Sequence, residues 1–263
     1  MSRAERITVD AGMVAVGRPK PTHLTSLGLA IERTLPLASH LEPLFPGGGL
    51  RRGTTVVVAG ADAVQGATSL ALALAAQASA TRSWCAAVAF PQLGLVAAAE
   101  LGVELTRLAL IPHVPPSQWT NVVGALVDTV DLVLVRPPAH LRQGDARRLT
   151  TRARERGAVL IPVLGRSDSD RSPWAEGADI RLRIVSTTWE GPGAGDGQLR
   201  HRDVVVAAGG RGAAARERMV SLALPRMVGS ADEPATIDAF AGSDAARIPD
   251  PCLAPAPTLR SAG

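Results

Sequence analysis

Thr54-Thr55-Val56-Val57-Val58-Ala59-Gly60-Ala61-Asp62-Ala63-Val64-Gln65-Gly66-Ala67-Thr68-Ser69-Leu70 decides the fold of this chain. Thr54 to Ala59 is β-branched and continuously apolar rather than alternating, which predicts a strand buried on both faces. Glycines bound the loop from Gly60 to Gly66. The Ala- and Leu-rich run Ala67 to Ala80 then predicts a buried helix. Strand, glycine-bounded loop and helix in that order form a βα unit with its loop at the carboxyl end of the strand.

Downstream, the same unit recurs. Cys85 to Phe90, Leu108 to Ile111, Leu132 to Val135 and Ala158 to Leu164 are short apolar strands. Between them lie three helical stretches: Leu93 to Leu101, stopped by Gly102; Ser117 to Thr129, with Ser117 as N-cap; and Asp145 to Arg156, with Gly157 at C′. Ala146, Leu149 and Ala153 mark the buried stripe of the last helix. Apolar strands alternating with helices predict a mostly parallel twisted α/β sheet flanked by helices. From Asp179 onward the pattern changes. Ile180 to Thr187, Arg202 to Ala207 and Glu217 to Leu224 are predicted as antiparallel edge strands of the same sheet. Upstream, Leu27, Ile31 and Leu35 recur at helical spacing and predict a helix over Leu24 to His40. The expected organisation is an N-terminal arm and helix (1–44), an α/β core (45–228) and a disordered acidic Pro/Ala-rich tail (229–263).

Composition narrows the function. The chain has 263 residues and is 46% apolar, enough for a sizeable core and too much for general disorder. Its two cysteines, Cys85 and Cys252, form neither a disulfide framework nor a zinc cluster and suit a reducing cytoplasm. Residues 1–12 lack an apolar stretch of the secretory type, and Asp62, Gln65 and Gln77 interrupt the longest apolar run, so neither leader nor membrane span is expected. Lys20 is the single lysine among 28 basic side chains. Charge is uneven: residues 136–229 carry 17 basic and 10 acidic groups, whereas residues 230–263 carry 2 and 5. A polyanion would therefore be sought along the first of these segments.

The loop is placed to hold a phosphate but lacks the means of a working nucleotide site. A P-loop, G-x-x-x-x-G-K-[ST], cradles phosphate with backbone N–H groups, reaches it with Lys and ligates Mg²⁺ with Ser/Thr. Here the spacing from Gly60 to Gly66 is one residue too long, Ala67 stands where lysine belongs, and only Thr68 fits. Asp62 adds negative charge inside the loop. The strand Leu132 to Val135 ends in Arg136 rather than in the carboxylate that would hold magnesium. No cofactor, no metal and no catalytic residue is expected.

The run Gly49 to Gly60, the strand Cys85 to Phe90, the passage Ala99 to Leu108, the strand Asp131 to Val135 and the strand Ala158 to Leu164 together resemble the RecA-type ATPase core. Where that family places a catalytic glutamate, this chain reads Pro91-Gln92. A RecA-like core degenerate in both Walker motifs, with a short N-terminal region and a tail, is similar to the ImuA family. That resemblance implies a non-catalytic cytoplasmic accessory of DNA-damage-induced mutagenesis, nucleoid-associated when active. Its implied partners are an ImuB-type polymerase-like protein and an error-prone C-family DNA polymerase. RecA and single-stranded DNA are further candidates. The alternatives are a divergent DNA-dependent ATPase and a regulatory protein of the cell-division-inhibitor type.

In a RecA-like core, the loops after the strands ending at Val135 and Leu164 line the DNA channel. They carry Arg136, His140, Arg142, Arg166 and Arg171, with Trp174 as a candidate base-stacking platform. The helix between adds Arg147, Arg148, Arg152, Arg154 and Arg156, which fit a solvated face equally well. Trp84, Trp119 and Trp189 are expected as core or interface anchors. In the tail, Ile237, Phe240, Ile248 and Leu253 are sparse apolar residues in an acidic segment, the pattern of a motif that docks on a partner.

Overall fold

The computed structural model describes residues 33–60, 66–165, 172–174, 177–190, 201–224 and 237–238. Residues 24–32 of the expected N-terminal helix, the loop 61–65, Arg166, Arg171, Phe240, Ile248 and Leu253 lie outside the described residues.

The strands are β1 (Thr34–Leu35), β2 (Leu50–Arg51), β3 (Val56–Ala59), β4 (Cys85–Val88), β5 (Leu108–Ile111), β6 (Leu132–Val135), β7 (Val159–Leu164), β8 (Ile180–Glu190), β9 (His201–Gly210), β10 (Arg218–Leu224) and β11 (Ile237–Asp238). The helices are α1 (Ala67–Ala80), α2 (Leu95–Glu100), α3 (Pro116–Thr129) and α4 (Gln143–Arg156). Nine strands form one sheet in the order β11-β10-β9-β8-β3-β7-β6-β4-β5. The strands from β8 to β5 run parallel, whereas β9, β10 and β11 are antiparallel. This is the layered arrangement expected of a RecA-like core, with one adjustment. β8 joins β3 as a parallel strand, so the antiparallel edge begins at β9.

The apolar runs read from the sequence are buried because both faces of the parallel half are covered. Every residue of β3, β4, β6 and β7 is buried. One core cluster joins α1 to Leu35, Leu41, Leu44 and Leu50 and to one face of β8, β9 and β10. A second lies under α3 and α4 and includes Val57, Trp119, Leu149 and Trp174. Among the described residues no helix is long and apolar enough to cross a membrane.

Several local expectations change. The predicted helix does not run through to His40: Thr34–Leu35 is a strand paired with Leu50–Arg51, and Ser39–Leu44 is a 3₁₀-helix. Pro36 explains this, since it has no N–H to donate and disfavours helical backbone at the residue before it. Ser117 is not an N-cap, because α3 starts one residue earlier at Pro116, whose missing N–H costs nothing at that position. Ile237, expected in a disordered tail, lies in β11, paired with Val220 of β10.

Candidate phosphate-loop remnant and basic face

The site is built where β3 delivers the chain to α1. Gly60 N–H donates to the Leu164 carbonyl at 3.2 Å, closing the carboxyl end of β3 onto β7. Gly66 precedes α1 with φ +92°, a left-handed turn that an L side chain rarely adopts. The first N–H groups of α1 therefore open toward the carboxyl ends of the strands, the orientation that favours an anion in this kind of sheet.

Two arginines meet that helix end. Arg136, just past β6, points a guanidinium Nη2 to 3.4 Å from Thr68 Oγ1. Its guanidinium also lies over the Phe90 ring, 5.0 Å from the centroid. Phe90 reaches this position from a strained corner, because Ala89 has φ +63°. The Arg136 carbonyl accepts from Trp119 Nε1–H at 3.1 Å, so the turn after β6 is held from below. From the other side comes Arg202 of β9. It stacks on its cross-strand partner Trp189, 4.9 Å from the ring centroid. A Cβ added to Gly66 would lie 2.5 Å from Arg202 Nη2, so the guanidinium rests against the Gly66 backbone. Arg202 is only 5% exposed, and burial holds its guanidinium below the usual arginine range. A small cleft of about 210 Å³ remains beside these groups, lined by Thr68, Arg136, Pro137 and Leu164.

Chemically, positive groups occupy both flanks of the α1 N-terminus, where a P-loop has one lysine. The carboxylate position of a magnesium site carries Arg136. Of the loop residues singled out in the sequence, Gly60, Gly66, Ala67 and Thr68 do come together here. Arg202 and Phe90 escaped sequence reading, and Trp189, expected as an anchor, was not linked to this site. Arg202 is 136 positions from Gly66, and only strand pairing brings it there.

The second group of candidates divides. Arg136 and Arg142 flank the loop between β6 and α4, and both are exposed. On α4, Ala146, Leu149 and Ala153 form the buried stripe, as their spacing predicts. Several arginines of the opposite face pair within the chain. Arg152 forms a two-pronged bond to Asp128, and Arg156 adds a third contact to the same carboxylate at 3.1 Å. Donation from Arg152 holds the Asp128 carboxyl below the usual carboxylate range. Arg154 meets Asp179 at 3.1 Å. Arg147 and Arg148 stay exposed to solvent.

Trp174 is not a stacking platform. It is 1% exposed, donates from Nε1 to Thr150 Oγ1 at 3.0 Å, and packs against Trp119 with ring centroids 6.3 Å apart. Trp119 is a core anchor, as expected, at 1% exposed. Trp84 and Trp189 are not core residues: each is nearly half exposed and covered on one face by an arginine, Arg107 or Arg202. An Arg guanidinium stacks well on an indole face, which lets a tryptophan keep its other face at the surface.

Comparison with known proteins places these features. Residues 43–168, from just before β2 to just after β7, match the family model described as the MT3502 N-terminal domain. Over 103 residues the chain is 36% identical to "Uncharacterized protein Rv3395c" of Mycobacterium tuberculosis. That alignment takes in 39% of this chain and 50% of that protein, so the chain spans about half the length of this relative. Among solved structures, it is similar to the flagellar accessory protein FlaH from Methanocaldococcus jannaschii, with a TM-score of 0.49 and 14% identity over 72% of this chain and 93% of that one. The stretch matched by the family model contains the passage from β3 to α1, Thr68 and Arg136, and ends before Arg202.

Proposed function

We propose that this chain is a non-catalytic RecA-like accessory protein of DNA-damage-induced mutagenesis, of the ImuA type. In this reading it holds or recruits an ImuB-type protein and an error-prone C-family DNA polymerase at damaged DNA. One observation carries it: arginines stand on both flanks of the α1 N-terminus, and neither the lysine nor the magnesium carboxylate of an ATPase is present. A guanidinium cannot ligate Mg²⁺, and it repels the cation that phosphoryl transfer needs. The fold is retained while its chemistry is replaced by a fixed internal contact.

The expected result is that the purified chain turns over no ATP beyond a Thr68→Ala preparation made in parallel. Turnover abolished by Thr68→Ala would overturn the reading in favour of a divergent ATPase. Partnership is tested by co-purification from damage-induced cells of the native host, using the full chain beside a version ending at residue 229. Recovery of an ImuB-type protein by the full chain and its loss with the truncation would support the scaffold and assign Ile237, Phe240, Ile248 and Leu253 to the contact. Recovery of neither that protein nor the polymerase would favour a regulator of the cell-division-inhibitor type.

Single-stranded DNA belongs to the same proposal through Arg136, Arg142, Arg166 and Arg171. Each phosphate contact contributes about 0.7 to the slope of log affinity against log salt for a single strand. Arg142→Ala is expected to reduce that slope by about that amount and to weaken all sequences alike, read by fluorescence anisotropy across a salt series. An unchanged slope would remove Arg142 from the DNA surface.

A further inference from the structure

The two faces of the antiparallel half of the sheet are covered unequally. Toward α1, the inward residues of β8, β9 and β10, among them Leu182, Val206 and Leu222, are buried in the main core. The opposite face continues the one that α3 and α4 cover over β3, β6 and β7. The core cluster beneath those helices contains no residue of β8, β9 or β10. Side chains there alternate outward, as a strand requires. Arg183, Ala207 and Met219 stand in register across the three strands, with Val205 beside Ser221 in the next row. Val205 and Met219 are half-buried, and Ser221 is exposed. Val185, at a register shift in β8, is 38% exposed. A cleft of about 400 Å³ opens at the inner end of this face, with Val57 in its lining and Arg181, Arg183 and Glu217 at its walls.

The chain itself arrives at this surface. β11 closes the outer edge of the sheet, and its last residue, Asp238, pairs with Met219. Beyond it run 25 further residues, 239–263. The cleft lies about 10–14 Å away, two or three strand spacings, well within the reach of that segment. The segment carries Phe240, Ile248 and Leu253, with Asp244 and Asp250 on either side of Ile248 and Arg247 next to it. On the face Arg183 and Glu217 pair with each other at 3.7 Å, and the exposed Asp203 is the group that can meet the arginine. Three apolar side chains are enough to cover a patch built around Val185, Val205 and Met219.

We propose that the open face of β8, β9 and β10 is the seat of the chain's own C-terminal segment, 239–263. The segment then covers in the free protein the same apolar residues it would offer a partner. The proposal concerns the isolated chain and stands or falls independently of which partners it has.

Cys252 lies inside the segment and supplies the probe. Cys85 will not compete, because it is fully buried and burial pushes its thiol up to about 12. A second thiol is placed on the face by Ser221→Cys, or by Ser186→Cys should that variant fold poorly, and on the exposed surface of α4 by Thr151→Cys. A short bismaleimide is added to the full-length chain at micromolar concentration, and masses are read. The expected result is an intramolecular link from residue 221 or 186 to Cys252, at least fivefold more than from residue 151. Val185→Asp is expected to reduce the link at least threefold. Equal linking from both surfaces, or no link from either face position, would overturn the proposal. A link only between copies, rising with concentration, would overturn it in favour of a second copy as the occupant.

Discussion

Gly210→Ala is expected to lower the urea midpoint of unfolding by the equivalent of about 3 kcal/mol or more. A Cβ at this position would lie 2.2 Å from the Asp179 carbonyl oxygen and 3.0 Å from the Ile180 Cα. Both are backbone atoms, so no side chain can swing aside. The contact sits where the sheet changes character, with Gly210 at the end of β9 in register with Ile180 at the start of β8. Asp179 is itself committed. Its Oδ2 accepts from the Thr55 N–H at 2.9 Å, its Oδ1 from Arg154 at 3.1 Å, and its carbonyl from the Arg211 N–H at 2.9 Å. Moving it to admit a methyl group would loosen the entry to β3 as well, and overpacking of this kind costs about 1–3 kcal/mol even where side chains can yield. Equilibrium urea unfolding followed by circular dichroism checks it. A midpoint within error of the parent would show that the two strands separate here at little cost.

Trp119→Ala is expected to cost about 3–5 kcal/mol, the usual range for emptying a buried tryptophan site. Trp119 fills the space between α3 and the sheet, faces Trp174 at a tilt of 59°, and caps the Arg136 carbonyl. Trp119→Phe separates two parts of that cost. It keeps most of the apolar volume but leaves the carbonyl without its donor, a loss of about 1–3 kcal/mol. Because that carbonyl belongs to the arginine aimed at Thr68, the Phe variant should also move the Arg136 turn, visible as a chemical-shift change at Thr68. A Phe variant as stable as the parent, with Thr68 unmoved, would show that the indole N–H does not hold the turn.

Much of the architecture was legible from residue order. Uninterrupted apolar runs such as Leu132 to Val135 can be satisfied only with a layer on each side, so they announce a parallel sheet between helices. The Ala146, Leu149, Ala153 stripe told which face of α4 would be buried. Errors fell where a local signal was outvoted. Pro36 keeps residues 34–40 out of the helix that periodicity alone predicts there. Pro116 took the first turn of α3, so Ser117 was not needed as its cap. Trp174 looked like a free aromatic in a basic loop until Thr150 and Trp119 were found beside it.

The candidate site divides along the same line. By itself the sequence determined that Ala67 opens α1 and that Arg136 follows β6, since both are residue identities at fixed spacing from one strand and one helix. It also determined the mostly parallel α/β core, because burial periodicity is a local property of the chain. Only the tertiary structure decided what stands against the start of α1. Arg202 lies on a strand formed more than a hundred positions later, and its approach to Gly66 depends on β8 docking beside β3 and on β9 pairing back across it. The face of β8, β9 and β10 beyond the reach of α3 and α4 was equally invisible in the sequence: an alternating strand states that one face is apolar, and only the packing of those helices states where their cover stops.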